Sequence, residues 1–405
     1  MPEFFYTART EDGKLVKDRI KIKDEASLKN YLNSKKLILT STKQSDKQAG
    51  GILNKLLNRL TSVPVVEKIF FTQNLSVMVK TGFSLAQALN TLSLQTTHKK
   101  FKIVINDLKH DVENGISFSN ALEKHPKIFS ELFINMIAAG EVSGKLDEVL
   151  ISLTKQMKKD HKLVSNVRTA MMYPAVIIIA MIGIGIVMMV TVIPQLVGIF
   201  EEAEAELPFT TKILITTSNL LSNQGIYIAI GIGILFYVFM QIKKSKKGKL
   251  IIHKLLLKIP IFKNIIKKIN IARFTRTLSS LMKTDIPIVQ TLQIISKTLG
   301  NVLFKEALLD ASEKVKKGIS ISKTLETKPE LFSPIVTQMI NIGEESGTLD
   351  TISDEIADFY EEDVDQTMEG LSSIIEPILM LVIGGVVMVV ALAVLQPMYG
   401  LVETI

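Results

Sequence analysis

The chain has 405 residues, enough for two or three domains with cores of their own. It contains no cysteine and no tryptophan, which excludes a disulfide framework and any cysteine-based metal site. The formal net charge is +8. The excess gathers beside an apolar segment, so it points to a membrane surface and not to nucleic acid.

Residues 1–45 come first. MPEFFYTARTEDGKLVKDRI has no apolar signal core, so the N-terminus is expected to stay in the cytoplasm. Asp12-Gly13 between short extended runs predicts a hairpin, followed by a helix from about Ala26 to Leu32. This small α/β module has no second copy. Residues 46–62 read as a linker with a basic amphipathic helix, with Leu53, Leu56, Leu57 and Leu60 on one side. Residues 63–173 have the period of a helical bundle. Residues 71–92 are helical with a break at Thr81-Gly82-Phe83-Ser84, and Ile128, Leu132, Met136 and Ala139 form a core stripe.

The next segment, 174–197, includes 19 uncharged residues from Ala175 to Ile193, enough to cross roughly 30 Å of hydrocarbon. An acidic loop, 198–224, carries Glu201, Glu202, Glu204 and Glu206. A second span, 225–242, ends in the lysine run Lys243, Lys244, Lys246, Lys247 and Lys249. Residues 243–376 form a basic linker and a second bundle, 377–397 a third span, and 398–405 a short tail. Lysines before the first span and after the second place both bundles inside and the loop and tail outside. The lysine run fixes this topology and meets anionic lipid. The approach to the third span is acidic, from Glu361 to Glu376, against the trend. Parity with the two earlier spans decides its direction.

The two bundles are copies. Residues 71–146 align without a gap to 274–349 at an offset of 203, with 29 identities in 76 positions. The offset persists through the span-entry prolines Pro174 and Pro377 and the exit prolines Pro194 and Pro397. In the second copy the stripe is expected at Leu331, Ile335, Met339 and Ile342, and Pro287 in the first turn of a helix. Both copies keep one orientation, unlike the inverted repeats of many transporters. The fold class is therefore all-α. It comprises two duplicated cytoplasmic bundles of about six helices each, three transmembrane helices and a small N-terminal module containing a β-hairpin.

Chemistry-bearing patterns are few. The five histidines have no ligand spacing and read as surface residues, and there is no phosphate loop or nucleophile elbow. The spans lack Asp, Glu, Lys, Arg and His, which argues against a pump, proton relay or intramembrane protease. Gly183, Gly185, Gly231, Gly233, Gly384 and Gly385 are expected to permit close helix packing. The strongest motif is Gly140-Glu141-x-Ser143-Gly144-x-Leu146, repeated as Gly343-Glu344-x-Ser346-Gly347-x-Leu349. It reads either as a structural corner, with Ser143 and Ser346 as N-caps of the next helix, or as a docking surface or cation contact. One carboxylate per motif is thin for a metal. No catalytic residue, metal or cofactor is expected.

These features together resemble the type II secretion F / type IV pilus assembly PilC family of inner-membrane platform proteins. The resemblance rests on Phe71–Gly82 and Phe274–Asp285, the two GExSGxL corners, Tyr173-Pro174, Glu376-Pro377 and the N-terminal MPEFFYTA. It covers essentially the whole chain. Asp285 departs from the glycine of the first copy. The resemblance implies a non-enzymatic platform that couples a cytoplasmic hexameric ATPase to insertion of pilins into a growing fibre. Other implied contacts are inner-membrane assembly proteins and a second copy of the chain, as a dimer. The same platform in type II secretion, with pseudopilins, is the nearest alternative. A transporter or a membrane-anchored enzyme is more remote.

Overall fold

The computed structural model describes residues 3–10, 15–21, 25–35, 37–45, 62–195, 209–284 and 286–403. The expected Asp12-Gly13 turn, nearly all of the linker helix, the acidic cluster of the loop and the departure at Asp285 fall outside them. The chain divides into two compact units, Met1–Pro64 and Val65–Ile405.

The first unit is a three-stranded antiparallel sheet with one helix. Strands β1 (Glu3–Thr10) and β2 (Leu15–Lys21) pair antiparallel. A third strand, β3 (Leu37–Ser45), adds to the other edge of β1, giving the order β2-β1-β3. The sequence reading missed it. Helix α1 (Glu25–Ser34) places Leu28 and Leu32 against Ala8, with Ile20, Tyr31 and Leu37 around them.

In the second unit, copy 1 runs α2 (Val65–Lys80), α3 (Leu85–Gln95), α4 (Lys99–Glu113), α5 (Phe118–Glu123), α6 (Glu131–Ser143) and α7 (Leu146–Val187). Helix α7 passes through a π-turn at Met188–Val192 and continues to Gln195. After α8 (Phe209–Lys244) and α9 (Lys246–Leu256), copy 2 runs α10 (Pro260–Met282), α11 (Ile288–Thr298), α12 (Val302–Val315), α13 (Ile321–Glu326), α14 (Pro334–Ser346) and α15 (Leu349–Glu403). From α3 and α11 onward, each helix of copy 2 begins 203 residues after its counterpart. Identical spacing of caps and glycines sets identical boundaries.

Each core is an aromatic cluster. Phe71, Phe101 and Phe129 meet at centroid distances of 5.3–6.3 Å, and Phe274, Phe304 and Phe332 repeat the arrangement. The break after α2 is fixed by Gly82, at φ +88°, and by Ser84, which forms a reciprocal capping box with Gln87. Pro287 occupies the N-cap of α11, one residue ahead of its expected place in the first turn.

Several expectations are corrected. In copy 2 the buried face of α14 is Val336, Ile340 and Gly343, so Ile335 and Ile342 of the expected stripe are exposed. The same spacing recurs in both copies, but the neighbour that covers it differs. The span helix α8 begins at Phe209, so residues 209–224 are helix and not loop. Pro174 and Pro377 lie inside continuous helices, because α7 and α15 each run unbroken from bundle to apolar segment. None of the six span glycines makes a close approach within the chain, since an added Cβ at each would meet nothing within 4 Å. Among the described residues three helices, Leu146–Gln195, Thr211–Lys244 and Leu349–Ala393, are long and apolar enough to cross a membrane.

Candidate functional site

The two GExSGxL corners are built by backbone needs. Gly140 lets α6 approach α7: a Cβ there would lie 3.0 Å from Val149 Cγ2, and at Gly343 one would lie 3.0 Å from Leu349 Cα. Gly144 and Gly347, both at φ +71°, are left-handed C-caps. The carboxylate of Glu141 accepts the N–H groups of Phe118 and Ser119 at 2.5 and 2.9 Å, capping α5 from outside it. Glu344 accepts those of Ile321 and Ser322 at 2.6 and 2.9 Å. Leu146 and Leu349 then open the long helices.

Ser143 and Ser346 do not cap those helices. Each is the last residue of its own helix, and its hydroxyl donates back to the carbonyl of Ala139 or Ile342, at 2.8 and 2.7 Å. The left-handed glycine turns the chain away before either hydroxyl could reach the next helix. The histidines are also more engaged than expected. His98 caps α4. His253 Nδ1 accepts the Val302 N–H at 3.1 Å, tying α9 to α12. Burial and the charges of Lys249 and Lys243 lower its pKa, which suits a neutral acceptor.

The largest polar constellation lies where the copies meet, among α7, α10 and α15. Arg276 is 2 % exposed. Its guanidinium binds Glu361 through two bonds of 2.8 and 2.9 Å and also reaches Asp354 and Asp358. Lysines of α7 complete the set. Lys159 bridges Glu361 at 2.8 Å and Asp358 at 3.0 Å, Lys155 meets Asp354 at 3.3 Å, and Lys162 meets Asp365 at 2.6 Å. Around it, Arg273 holds Asp160 at 2.6 Å, Lys297 holds Glu131, and Gln156 bonds Thr277 and Ser280 at 3.2 and 3.1 Å.

Burial works against the charges of Arg276, Lys159, Asp354 and Asp358, but their partners win. Glu361 and Asp354 raise the Arg276 pKa, and Glu361 and Asp358 raise that of Lys159. Asp354 and Asp358 are held below the usual carboxylate range, Asp354 chiefly by Arg276 and Lys283, Asp358 by Lys159 and Arg276. The contacts advance together along α7 and α15, so the two helices run parallel. Their apolar continuations leave the bundles in the same direction. Span contacts add to this: Thr211 donates to the Ala393 carbonyl at 2.8 Å and Ser218 to that of Met189 at 2.5 Å.

The protein-family model described as type II secretion system (T2SS), protein F, matches twice, over residues 71–194 and 274–397. The chain belongs to the type II secretion system protein F family. Among similar proteins, a "Type IV pilus assembly protein PilC" of Thermus thermophilus is 32% identical over 412 residues, covering 100% of this chain and 99% of that protein. The protein of the same name in Myxococcus xanthus is 33% identical over 386 residues, 95% and 91% of the two chains. A "Type II secretion system protein F" of Vibrio cholerae is 28% identical over 397 residues, 98% of each.

Each protein F segment starts at a buried phenylalanine and ends at an exit proline, so the family's unit is a bundle plus its apolar helix. Helix α8, the lysine run and the first unit fall outside both segments. In the run, Ser245 caps α9, and a Cβ on Gly248 would overlap the Ile242 carbonyl oxygen at 1.9 Å, so glycine is needed for this tight corner. Among the described residues no group of three or more His, Cys, Asp or Glu is placed to hold a metal ion.

The Arg276 network is the feature that sequence reading missed. A signal was present: equivalent positions of the repeats carry opposite charges, Lys155/Asp358, Lys158/Glu361, Lys159/Glu362 and Lys162/Asp365. Within the acidic approach to the third span, Glu361 and Asp365 meet copy 1, whereas Asp363 pairs with Lys268 of copy 2. Lys155, Lys159 and Lys162, which lie ahead of the first span, pair with Asp354, Asp358, Glu361 and Asp365.

Proposed function

We propose that this chain is a non-enzymatic inner-membrane platform of a type IV pilus assembly machine, coupling a cytoplasmic hexameric ATPase to insertion of pilins. The observation that carries it is mechanical. Two bundles are clamped by ion pairs at their junction, and each continues without a break into a helix able to cross the bilayer. At 1.5 Å per residue, α15 is a rod of about 80 Å. Displacement of one bundle therefore moves the other and both rods together.

In this reading the chain spans the membrane three times with residues 1–173 and 243–376 in the cytoplasm. The second span returns the chain to that side, and Lys243–Lys249 anchors it there. The exposed outer sides of the corners, around Ser143 and Ser346, are the surfaces offered to the ATPase or assembly proteins. Their glutamates are occupied internally. The pseudopilus platform of type II secretion is the alternative, supported by relatives named for that system.

Crosslinking and affinity capture from native membranes test the reading. Recovery of a secretion-type ATPase with pilins is expected, and pseudopilins instead would assign the alternative. Recovery of a metabolic enzyme complex alone would sink both.

A further inference from the structure

Residues 243–273 lie outside both protein F segments, so α9 and the start of α10 are not part of the repeated unit. Helix α9 begins where α8 ends, with Ser245 capping it and Gly248 packed against Ile242. Its two sides differ. His253 accepts the Val302 N–H and so faces α12. At about 100° per residue, Ile251 and Leu255 point roughly 160° away from His253. They are 63% and 59% exposed. Ile259 and Phe262 follow at the α9–α10 corner, also exposed.

This corner lies at the membrane end of copy 2. Arg276 of α10 meets Asp354 and Asp358 of α15, while Lys268 meets Asp363 and Thr367 at 2.7 and 2.9 Å. The two helices therefore run antiparallel. Going back from Lys268 to Phe262 advances about 9 Å toward the apolar part of α15, whose Pro377 lies about 15 Å beyond Thr367. Phe262 thus comes within about 6 Å of the level at which α15 becomes apolar, roughly the depth of a headgroup layer.

Charge here is one-sided. From Lys243 to Lys268 there are ten lysines and no Asp or Glu. Lys254, Lys258 and Lys263 border a groove with Glu306 and Asp310 of α12, yet none of the three is ion-paired among the described residues, and Asp310 is bound by Lys314 at 2.8 Å. Burial and the charge of Lys263 lower the pKa of Lys267 against the opposing pull of Glu330. Exposed apolar residues on one side of a helix, with unpaired lysines beside them, suit the boundary between acyl chains and anionic headgroups. A bilayer surface offers both chemistries at the level this corner occupies.

We propose that α9 and the α9–α10 corner form an interfacial anchor that rests copy 2 on the anionic cytoplasmic leaflet. Ile251, Leu255 and Phe262 enter the acyl boundary, and Lys254, Lys258 and Lys263 meet lipid phosphates. The run Lys243–Lys249 sets the side on which α8 ends, whereas this anchor sets how copy 2 sits on that side. The proposal rests on the three-span topology of the platform reading.

The chain has no tryptophan, so a single introduced one reports its own surroundings. The test uses the full chain in lipid nanodiscs of phosphatidylcholine, with and without phosphatidylglycerol. With the anionic lipid, Ile251→Trp and Phe262→Trp should emit at shorter wavelength and be quenched more by lipids brominated near the headgroup than by lipids brominated near the chain end. Their iodide quenching should be lower by about twofold or more than that of Val142→Trp, which lies on an exposed corner at the far end of α7. Without phosphatidylglycerol this protection should fall. It should fall equally, with the anionic lipid present, when Lys254, Lys258 and Lys263 are all changed to Gln, a variant that keeps Lys243–Lys249 and should keep its helix content. Ile234→Trp, within α8, should be quenched most by the deep bromines in either lipid. Failure at Ile234 would overturn the topology and the anchor with it. Success at Ile234 with Ile251→Trp and Phe262→Trp as open to iodide as Val142→Trp would overturn the anchor alone. Bromine quenching that is the same with and without phosphatidylglycerol, or a blue shift with no bromine quenching, which would mean that protein covers the face, would also overturn it.

Discussion

Glu141 binds the first turn of a neighbouring helix, although it lies in a different helix and 23 residues away in the chain. Replacing it with alanine removes the acceptor of two amides and should cost about 1–2 kcal/mol, read as a lower thermal midpoint. Gly140→Ala drives a Cβ against Val149 and should cost roughly 1–3 kcal/mol by overpacking, with no change in helix content by circular dichroism. Arg276 is the most consequential single side chain. Arg276→Met leaves the carboxylate of Glu361, itself 6% exposed, with Lys159 as its one remaining cation, and should destabilise by about 2–3 kcal/mol, less than a fully unpaired buried charge would. Each of the two residue types was visible differently in the sequence. Glycines and the glutamate stood out as a motif, while the arginine sits in a repeat whose first copy has glutamine, Gln73, and matched no motif.

The unit of recognition at the next scale is a pair of helices. Lysines spaced along α7 meet acids spaced along α15, and the two faces descend from one duplicated segment with its charges reversed. Like-charged ancestral faces would repel, so inversion selects copy 1 against copy 2. Lys162→Asp alone sets two carboxylates together and should lower stability by about 1 kcal/mol, while Lys162→Asp with Asp365→Lys should recover most of it. A double-mutant cycle of unfolding midpoints in detergent measures this directly. Secondary structure along these helices was legible from periodicity. Their continuity was less so, because Pro174 and Pro377 suggested boundaries. Proline at these points is accommodated within one helix, with bundle and span on either side of it.

At the largest scale, the second unit sets two bundles on two parallel rods, held at a charged junction. Its pH response follows from the shifts there. Asp354 and Asp358 are depressed, so their contribution is complete above the unfolded carboxylate value of about 3.9 and is lost as pH falls through their lower folded values. Lys159 is raised, so its contribution is complete below an unfolded value of about 10.4 and is lost as pH rises through its higher folded value. Spin labels on the two bundles should therefore report a constant separation between about pH 5 and about pH 9, with broadening only in stronger acid or base. Broadening near neutral pH would mean that the junction is not what holds the copies.

By itself the sequence determined the duplication, the helical class, the three apolar segments and the corner motif. All of these are written in local periodicity, run length and repetition at one offset, so no distant contact is needed to read them. Only the tertiary structure decided which faces are covered. Burial of Leu132 and exposure of Ile335 differ although the two residues occupy the same place in the repeat, because a face is buried by what packs on it and not by its own pattern. The same holds for Arg276, whose three carboxylate partners lie about eighty residues further along the chain and meet it only when α15 packs on α10.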